Sequence, residues 1–398
     1  MKKSISIALC LILLVGALFG QTKLTLWTQE GTAENAFQFV QELAKAYSAA
    51  NPKVSIEVLN KETEALREDF QTAALAGDAP ELLWTVSDHA GPFVAAELIQ
   101  SVDKLVNLKL YADATAVMLE GKTWGVPISS GNHLMLLYNK DLVKAPPKDT
   151  DELVKMAADL NAKGIIPLTF NQTEPFWLVP WLGGYKGRVF ASDGVTPTLD
   201  TQAMVKTLTL LQDLKFKHKV FPAEANYDTA DAIFKEGKAA MIINGDWSLG
   251  DYKKVMGDKL GVARIPMIKG GTWPAPYTAG KFFMINADID KAKLAAVVDF
   301  IKFATNKENQ LLMFTRLTRL PALKTAAADK TVTSDPITKA SAEQMTVGVG
   351  MPSVLEMRAV WDAMKPEMLK VLASASASPV DAAKAMQSAA VAGIKALQ

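Results

Sequence analysis

Apolar and polar positions fall into short, alternating periods along most of this chain. After two lysines, residues 5–19 are almost unbroken apolar side chain, and the small Gly16, Ala17 and Gly20 precede the polar Gln21. Residues 23–27 then alternate apolar and polar, which predicts a strand. Phe37, Val40, Ala44 and Tyr47 recur at helical spacing and predict a helix over 34–50. Asn51-Pro52 stops it, because the residue before a proline avoids helical geometry. Val54, Ile56 and Val58 predict a second strand, and Leu66, Phe70 and Ala73 a second helix closed by Gly77-Asp-Ala-Pro80. A short apolar run at 81–86 reads as a buried strand. This alternation predicts βαβ units with a largely parallel sheet.

The pattern returns further on. Strands are expected at 133–138, 165–170, 239–243 and 282–285. Helices are expected at 152–162, with Thr150 as cap and Gly164 as end, and at 204–216, 229–236 and 291–305. A mostly helical tail follows, in which the Ala/Ser-rich 373–379 forms a loop between two terminal helices. Two α/β blocks imply two lobes. No Pro/Gly/Ser linker separates them, so the expectation is lobes that exchange segments, with the chain crossing more than once.

The charged start and the apolar stretch at 5–19 have the layout of a secretory signal peptide, with cleavage near Gly20. The stretch is too short to span a bilayer comfortably. The sole cysteine, Cys10, lies inside it after Leu9, a poor match to a lipidation site. No other segment reaches the roughly 18 consecutive apolar residues of a membrane helix. An exported protein is therefore expected, periplasmic or on the extracellular face of the membrane. It would lack disulfides and be long enough for two ordinary cores.

Charge narrows the function. The 43 basic and 42 acidic residues are interspersed, unlike the basic face that nucleic acid demands. The three histidines, His89, His133 and His218, lack metal-ligand spacing, and neither a G-x-S-x-G elbow nor a glycine-rich phosphate loop occurs. No metal or other cofactor is expected. A glycoside hydrolase needs two carboxylates flanking one bond, and Glu174 with Asp88 form one conceivable pair, although no hydrolase motif accompanies them. A receptor for an amino acid would want an arginine and an acid.

Four stretches carry a resemblance. They are 77–84 (Gly-Asp-Ala-Pro-Glu-Leu-Leu-Trp), 138–142 (Tyr-Asn-Lys-Asp-Leu), 170–176 (Phe-Asn-Gln-Thr-Glu-Pro-Phe) and 234–247 (Phe-Lys-Glu-Gly-Lys-Ala-Ala-Met-Ile-Ile-Asn-Gly-Asp-Trp). With the later Met351-Pro352 and Trp361, the chain resembles the maltose-binding branch of the bacterial solute-binding proteins. The resemblance implies a type II periplasmic-binding fold, an α/β architecture of two lobes with three crossings near residues 130, 278 and 332. One lobe would comprise 21–130 with 279–332, the other 131–278 with 333–398, and the ligand cleft would lie between them. It also implies a monomer without catalytic activity that carries a small sugar to the permease subunits of an ABC importer by closing its lobes.

A sugar ring offers a C–H face to flat aromatics and a hydroxyl rim to carboxylates and amides. Trp247, after Asn244-Gly-Asp246 at a strand end, matches the family's main stacking residue, with a core tryptophan as the alternative. Trp361 matches a second platform, but the next residue, Asp362, stands where the family has an aromatic. Glu174 matches a hydroxyl-binding carboxylate and Phe176 a third aromatic, with Trp177 and Trp181 nearby; a solvated loop acid and a helix-start cluster are the alternatives. Asp88 matches a sugar-binding carboxylate or else caps the following helix. His89 replaces an arginine and Thr85 a tryptophan. Glu30, in Glu30-Gly-Thr32, is the candidate left where the family has a charged pair. Asn132 or His133 takes the place of a family acid, and Trp273 reads as a loop packing residue.

Overall fold

The alternation read at residues 23–27 becomes strand β1 (Thr22–Thr28), with Leu24 and Leu26 on its buried face. The computed structural model describes residues 21–31 and 35–397; the expected signal peptide at 1–20, and Thr32 and Glu34, lie outside the described residues. Helix Ala36–Ala50 follows, burying Phe39 and Leu43 beside Val40, Ala44 and Tyr47, while Phe37 stays partly exposed. Its inner face is thus turned slightly from the one read from spacing. After β2 (Val54–Asn60), helix Thr63–Ala76 is capped by the Glu62 carboxylate and closed by Gly77 in the left-handed conformation (φ 75°). β3 (Leu82–Val86) completes a parallel β2-β1-β3 unit.

A small hairpin, β4 (Met118–Leu119) and β5 (Lys122–Thr123), precedes β6 (Val126–Gly131). The chain then enters a second sheet with β7 (Leu134–Asn139), β8 (Ile166–Phe170), β9 (Ala239–Gly245) and β10 (Leu260–Ala263), in the order β10-β7-β9-β8. It returns in β11 (Tyr277–Ile285), which pairs antiparallel with both β3 and β6 and, at its start, parallel with β12 (Val349–Gly350).

The sheets are less parallel than the βαβ reading predicts. β1–β2, β1–β3 and β8–β9 are parallel, but β7 runs against β9 and β10, and β11 against β3 and β6. The antiparallel pairs are made by strands that arrive from the other sheet and enter from its opposite end. Helix Thr150–Ala162 is capped by Asp149, which accepts from the Glu152 N–H, and not by Thr150, whose hydroxyl accepts from the Lys269 N–H.

Each sheet has its own core. Leu26, Phe39, Tyr47, Trp84, Phe283 and Phe300 pack beside the first. Leu168, Trp181, Leu208, Met241, Val360 and Met386 pack beside the second, covered by the terminal helices Glu356–Ala373 and Pro379–Ala396. β11 belongs to both, with Tyr277 and Ala279 in one core and Phe283 and Ile285 in the other. Among the described residues no helix is long and apolar enough to cross a membrane.

Candidate ligand-binding site

β9 delivers Trp247 at the carboxyl end of the second sheet, inside the short 3-10 turn Asp246–Ser248. Asn244 binds the Tyr252 hydroxyl through its amide (2.8 Å) and accepts the Gly245 N–H (2.8 Å), while the Ser248 hydroxyl donates to the Gly245 carbonyl (2.7 Å). The indole folds back over Gly245, where a Cβ would fall 2.1 Å from the ring. Glycine at 245 therefore sets the ring's position. Trp247 donates its Nε1–H to the Tyr227 hydroxyl (3.0 Å) and stays partly exposed, so it is not the fully buried core tryptophan of the alternative reading.

Phe176 lies 6.1 Å from Trp247 and 6.4 Å from Tyr277, and Tyr277 packs edge-on against Trp361 at 6.1 Å. Trp247, Phe176, Tyr277 and Trp361 thus form a continuous aromatic wall, backed by Trp177 edge-on to Trp247. The sequence reading finds three of its members but misses Tyr277, the residue that joins them. Burial pushes the Tyr277 hydroxyl well above its usual range. Trp177 is held by the Ile243 carbonyl and Trp181 is fully buried, so both support the wall from behind. Trp273 packs under the Arg264 guanidinium (5.1 Å), as a loop residue should.

Carboxylates border this wall. The Trp361 indole N–H donates to Asp88 Oδ2 (3.3 Å), linking the helix Glu356–Ala373 beside the second sheet to the end of β3. No side chain caps the helix Ala90–Ala95, so Asp88 does not fill the capping role. Burial and the Glu64 carboxylate raise the Asp88 pKa to about 6, against the pull of its own backbone N–H, the Trp361 bond and Arg67. Glu174 stands at the rim, ion-paired with Lys365 (2.6 Å) and partly exposed.

Five other candidates stand outside the wall itself. His89 is buried with Nδ1 2.8 Å from the Thr85 hydroxyl, so the two departures at 85 and 89 form one hydrogen-bonded unit. Burial, with Arg67 and Arg358 nearby, lowers the His89 pKa to about 3. Glu30 is 1% exposed; its Oε1 accepts the Trp84 indole N–H (2.7 Å), meets the Arg319 guanidinium and lies 3.7 Å from the Lys281 ammonium. Burial alone would raise the Glu30 pKa, but the two cations and the hydrogen bonds outweigh it and hold it at about 2. Asn132 has a left-handed backbone (φ 48°), and its N–H donates to Asp246 Oδ2 (3.0 Å). His133 is buried against Ser341. Asp362 points to solvent and pairs with Arg358 (3.0 Å), a turn earlier on the same helix.

Lys281 and Arg319 also escape the sequence reading. A signal for Lys281 exists, since it is the sole charged residue in the strand Tyr-Thr-Ala-Gly-Lys-Phe-Phe-Met-Ile.

Comparison with known proteins agrees with this architecture. The maltose/maltodextrin-binding domain from Bdellovibrio bacteriovorus, solved bound to maltotriose, is 35% identical, superposes with a TM-score of 0.89, and is covered in full by 94% of this chain. The maltotriose-binding protein of Thermus thermophilus, also solved with maltotriose, is 25% identical with a TM-score of 0.86 over the same shares. A maltotriose-binding protein of Pyrococcus abyssi is 27% identical over 379 residues, 91% of this chain and 80% of the relative. A galactooligosaccharide-binding protein of Bacillus subtilis is 27% identical over 347 residues, 83% of this chain and 80% of the relative. Proteins of this kind bind solutes rather than transform them, which sets aside the hydrolase alternative. With its residues 42–340 matching the family model, the chain belongs to the bacterial extracellular solute-binding proteins.

Proposed function

We propose that this protein is the substrate-binding component of an ABC importer for a malto-oligosaccharide or a closely similar sugar. The observation that carries the reading is the aromatic wall of Trp247, Phe176, Tyr277 and Trp361 with Asp88 and Glu174 at its border. Flat rings suit the apolar face of a pyranose, and carboxylates suit its hydroxyls. In this reading Trp247, Trp361 and Phe176 stack on the sugar while Asp88 and Glu174 accept from it. His89, Glu30 and Asn132 act from behind these residues, and Asp362 acts from the solvent side through Arg358. The names of the relatives, which bind maltotriose, maltodextrin and galactooligosaccharide, support an oligosaccharide ligand.

The same reading assigns 21–130 with 279–332 to one lobe and 131–278 with 333–398 to the other, closing on ligand around the crossings. The passage from β6 to β7 between Gly131 and Leu134 supports the first crossing. Residues 1–20 would direct export and be removed, leaving a monomer that meets the permease outside the cytoplasmic membrane.

Tryptophan emission and calorimetry with maltose, maltotriose, trehalose and galacto-oligosaccharides test the proposal. The expected result is saturable binding without consumption of the sugar. Trp247→Ala should weaken it by about 1–3 kcal/mol, as removal of a central aromatic anchor does. Binding of a charged solute, with no response to any sugar, would overturn the reading.

A further inference from the structure

Trp247 runs directly into a helix that belongs to the second sheet. Helix Leu249–Met256 buries Leu249 and Tyr252 with Met135, Leu137 and Ile242. Its other side meets helix Lys307–Leu317, whose Met313 and Leu317 pack beside the first sheet. The meeting point is Gly250. A Cβ there would lie 2.9 Å from the Leu317 Cα, 3.0 Å from its carbonyl oxygen and 3.1 Å from its carbonyl carbon. Carbon atoms rest at about 3.5–4.0 Å, so a side chain at 250 would push the two backbones apart by roughly 1 Å. Conformation does not explain the glycine, because position 250 lies within a right-handed helix, where alanine is the better residue.

This one contact sets the spacing between the two helices. Beside it opens a groove of about 440 Å³, bordered by Lys253, Lys254, Thr315 and Arg316. Those side chains are exposed and can give way. The Leu317 main chain cannot, since Leu317 is buried and the Thr318 N–H closes the helix end on the Phe314 carbonyl (2.7 Å). One residue along, Asp251 Oδ1 accepts from the Asn35 amide (2.9 Å), which holds the same helix against the start of helix Ala36–Ala50.

We propose that Gly250 is a positioning residue of the sugar site: carrying no side chain, it lets the helix behind Trp247 seat on the Leu317 main chain and so sets the width of the cleft. The assignment rests on the sugar-binding reading above, in which the two lobes close on ligand. Only the turn Asp246–Ser248 separates the indole from this helix, and the Ser248 hydroxyl ties that turn to the Gly245 carbonyl (2.7 Å). A displaced helix therefore carries the Trp247 ring with it, away from Asp88 at the end of β3. Gly250 touches no sugar; it acts through Trp247.

The test is calorimetric titration of maltotriose into wild type, Gly250→Ala and Gly250→Val, each from residue 21 onward. Gly250→Val should bind at least tenfold more weakly than wild type, and Gly250→Ala should lose less in the same direction. The loss should lie in the dissociation rate, with association little changed. Ligand-free Gly250→Ala should melt no lower than wild type, because alanine favours the helix. Nitroxide labels on Lys45→Cys and Val255→Cys, exposed positions on helices Ala36–Ala50 and Leu249–Met256, report the spacing directly. Saturated with maltotriose, the labels should stand roughly 1 Å further apart with Gly250→Val than without it. If Gly250→Val does not fold, Gly250→Ala carries the same measurements. Wild-type affinity in the Gly250 variants, or weakened binding at an unchanged label distance, would overturn the role of Gly250 and leave the sugar reading standing. A wild type that binds no sugar would overturn both.

Discussion

Trp361 donates its indole N–H to the Asp88 carboxylate at 3.3 Å, so a residue of the helix Glu356–Ala373 grips the end of β3 in the other sheet. One turn earlier on that helix, the Arg358 guanidinium meets Glu64 on helix Thr63–Ala76. Residues three apart share a helix face, so the two contacts form one seam between this helix and the elements beside β3. The ion pair is partly exposed, with side-chain exposures of 30% and 45%, and should contribute under ~1 kcal/mol to stability. Arg358→Ala should therefore melt within a few degrees of wild type yet open the ligand-free molecule. Small-angle scattering should register a larger radius of gyration; an unchanged radius would mean the seam does not hold the lobes together.

Asp88 and His89 are adjacent in sequence but should tilt stability with pH in opposite directions. The Asp88 carboxyl is raised from 3.8 to about 6 in the folded state, so its contribution is full below pH 3.8 and is lost as pH rises towards 6. The His89 imidazole is lowered from 6.5 to about 3, so its contribution is present above pH 6.5 and is lost as pH falls towards 3. Between pH 4 and 6 the two slopes oppose each other, each at most about 1.4 kcal/mol per pH unit. In urea unfolding, Asp88→Asn should make stability climb with pH across this window relative to wild type. His89→Gln should make it fall. Parallel profiles for all three proteins would refute the coupling.

Glu30 should be a stability residue of a different kind. Its neutralisation leaves Arg319 and Lys281 buried without their shared carboxylate, so Glu30→Gln should destabilise by about 3–5 kcal/mol. Because its pKa is held at about 2 instead of 4.5, its contribution is present above pH 4.5 and drains away as pH falls towards 2. The difference between wild type and variant in chemical unfolding should accordingly shrink in acid.

Asp246 fastens the passage between β6 and β7 to the loop that carries Trp247. Its N–H donates to the His133 carbonyl (3.2 Å) and its carboxylate accepts the Asn132 N–H (3.0 Å). Asp246→Ala leaves the Asn132 N–H buried without its acceptor, at a cost of about 1–3 kcal/mol. Asp246→Asn retains an amide oxygen in the same place and should cost less than ~1 kcal/mol. Equal losses in the two variants, by thermal unfolding, would show that the bond itself is not what matters.

The strands and helices of the first lobe were legible because their periods are clean: Val54, Ile56 and Val58 alternate, and Gly77 ends its helix as the left-handed residue that glycine favours. Strand direction was not legible. Whether a neighbour runs parallel depends on which sheet the chain has just left, and no local pattern in 277–285 encodes that. At the site, Trp247, Phe176 and Trp361 could be named from the resemblance to the maltose-binding branch, but Tyr277 and Lys281 could not. Their importance arises from a long-range pairing that brings β11 beside the second lobe. Glu30 illustrates the reverse: a loop carboxylate beside a strand looks available, and only Arg319, 289 residues away in sequence, makes it a buried partner.

β11 also constrains the order in which the molecule can assemble. Neither β3 nor β6 has its antiparallel neighbour until residues 277–285 exist, and Arg319 must follow before Glu30 has both of its cations. An emerging chain can build helices and the β2-β1-β3 unit early, but the first sheet remains unfinished while the whole second sheet is being made. Closure of loops this long is entropically expensive and slows folding. The shared strand thus ties completion of the two cores to one late event, and a chain cut short before residue 277 has no complete lobe to keep.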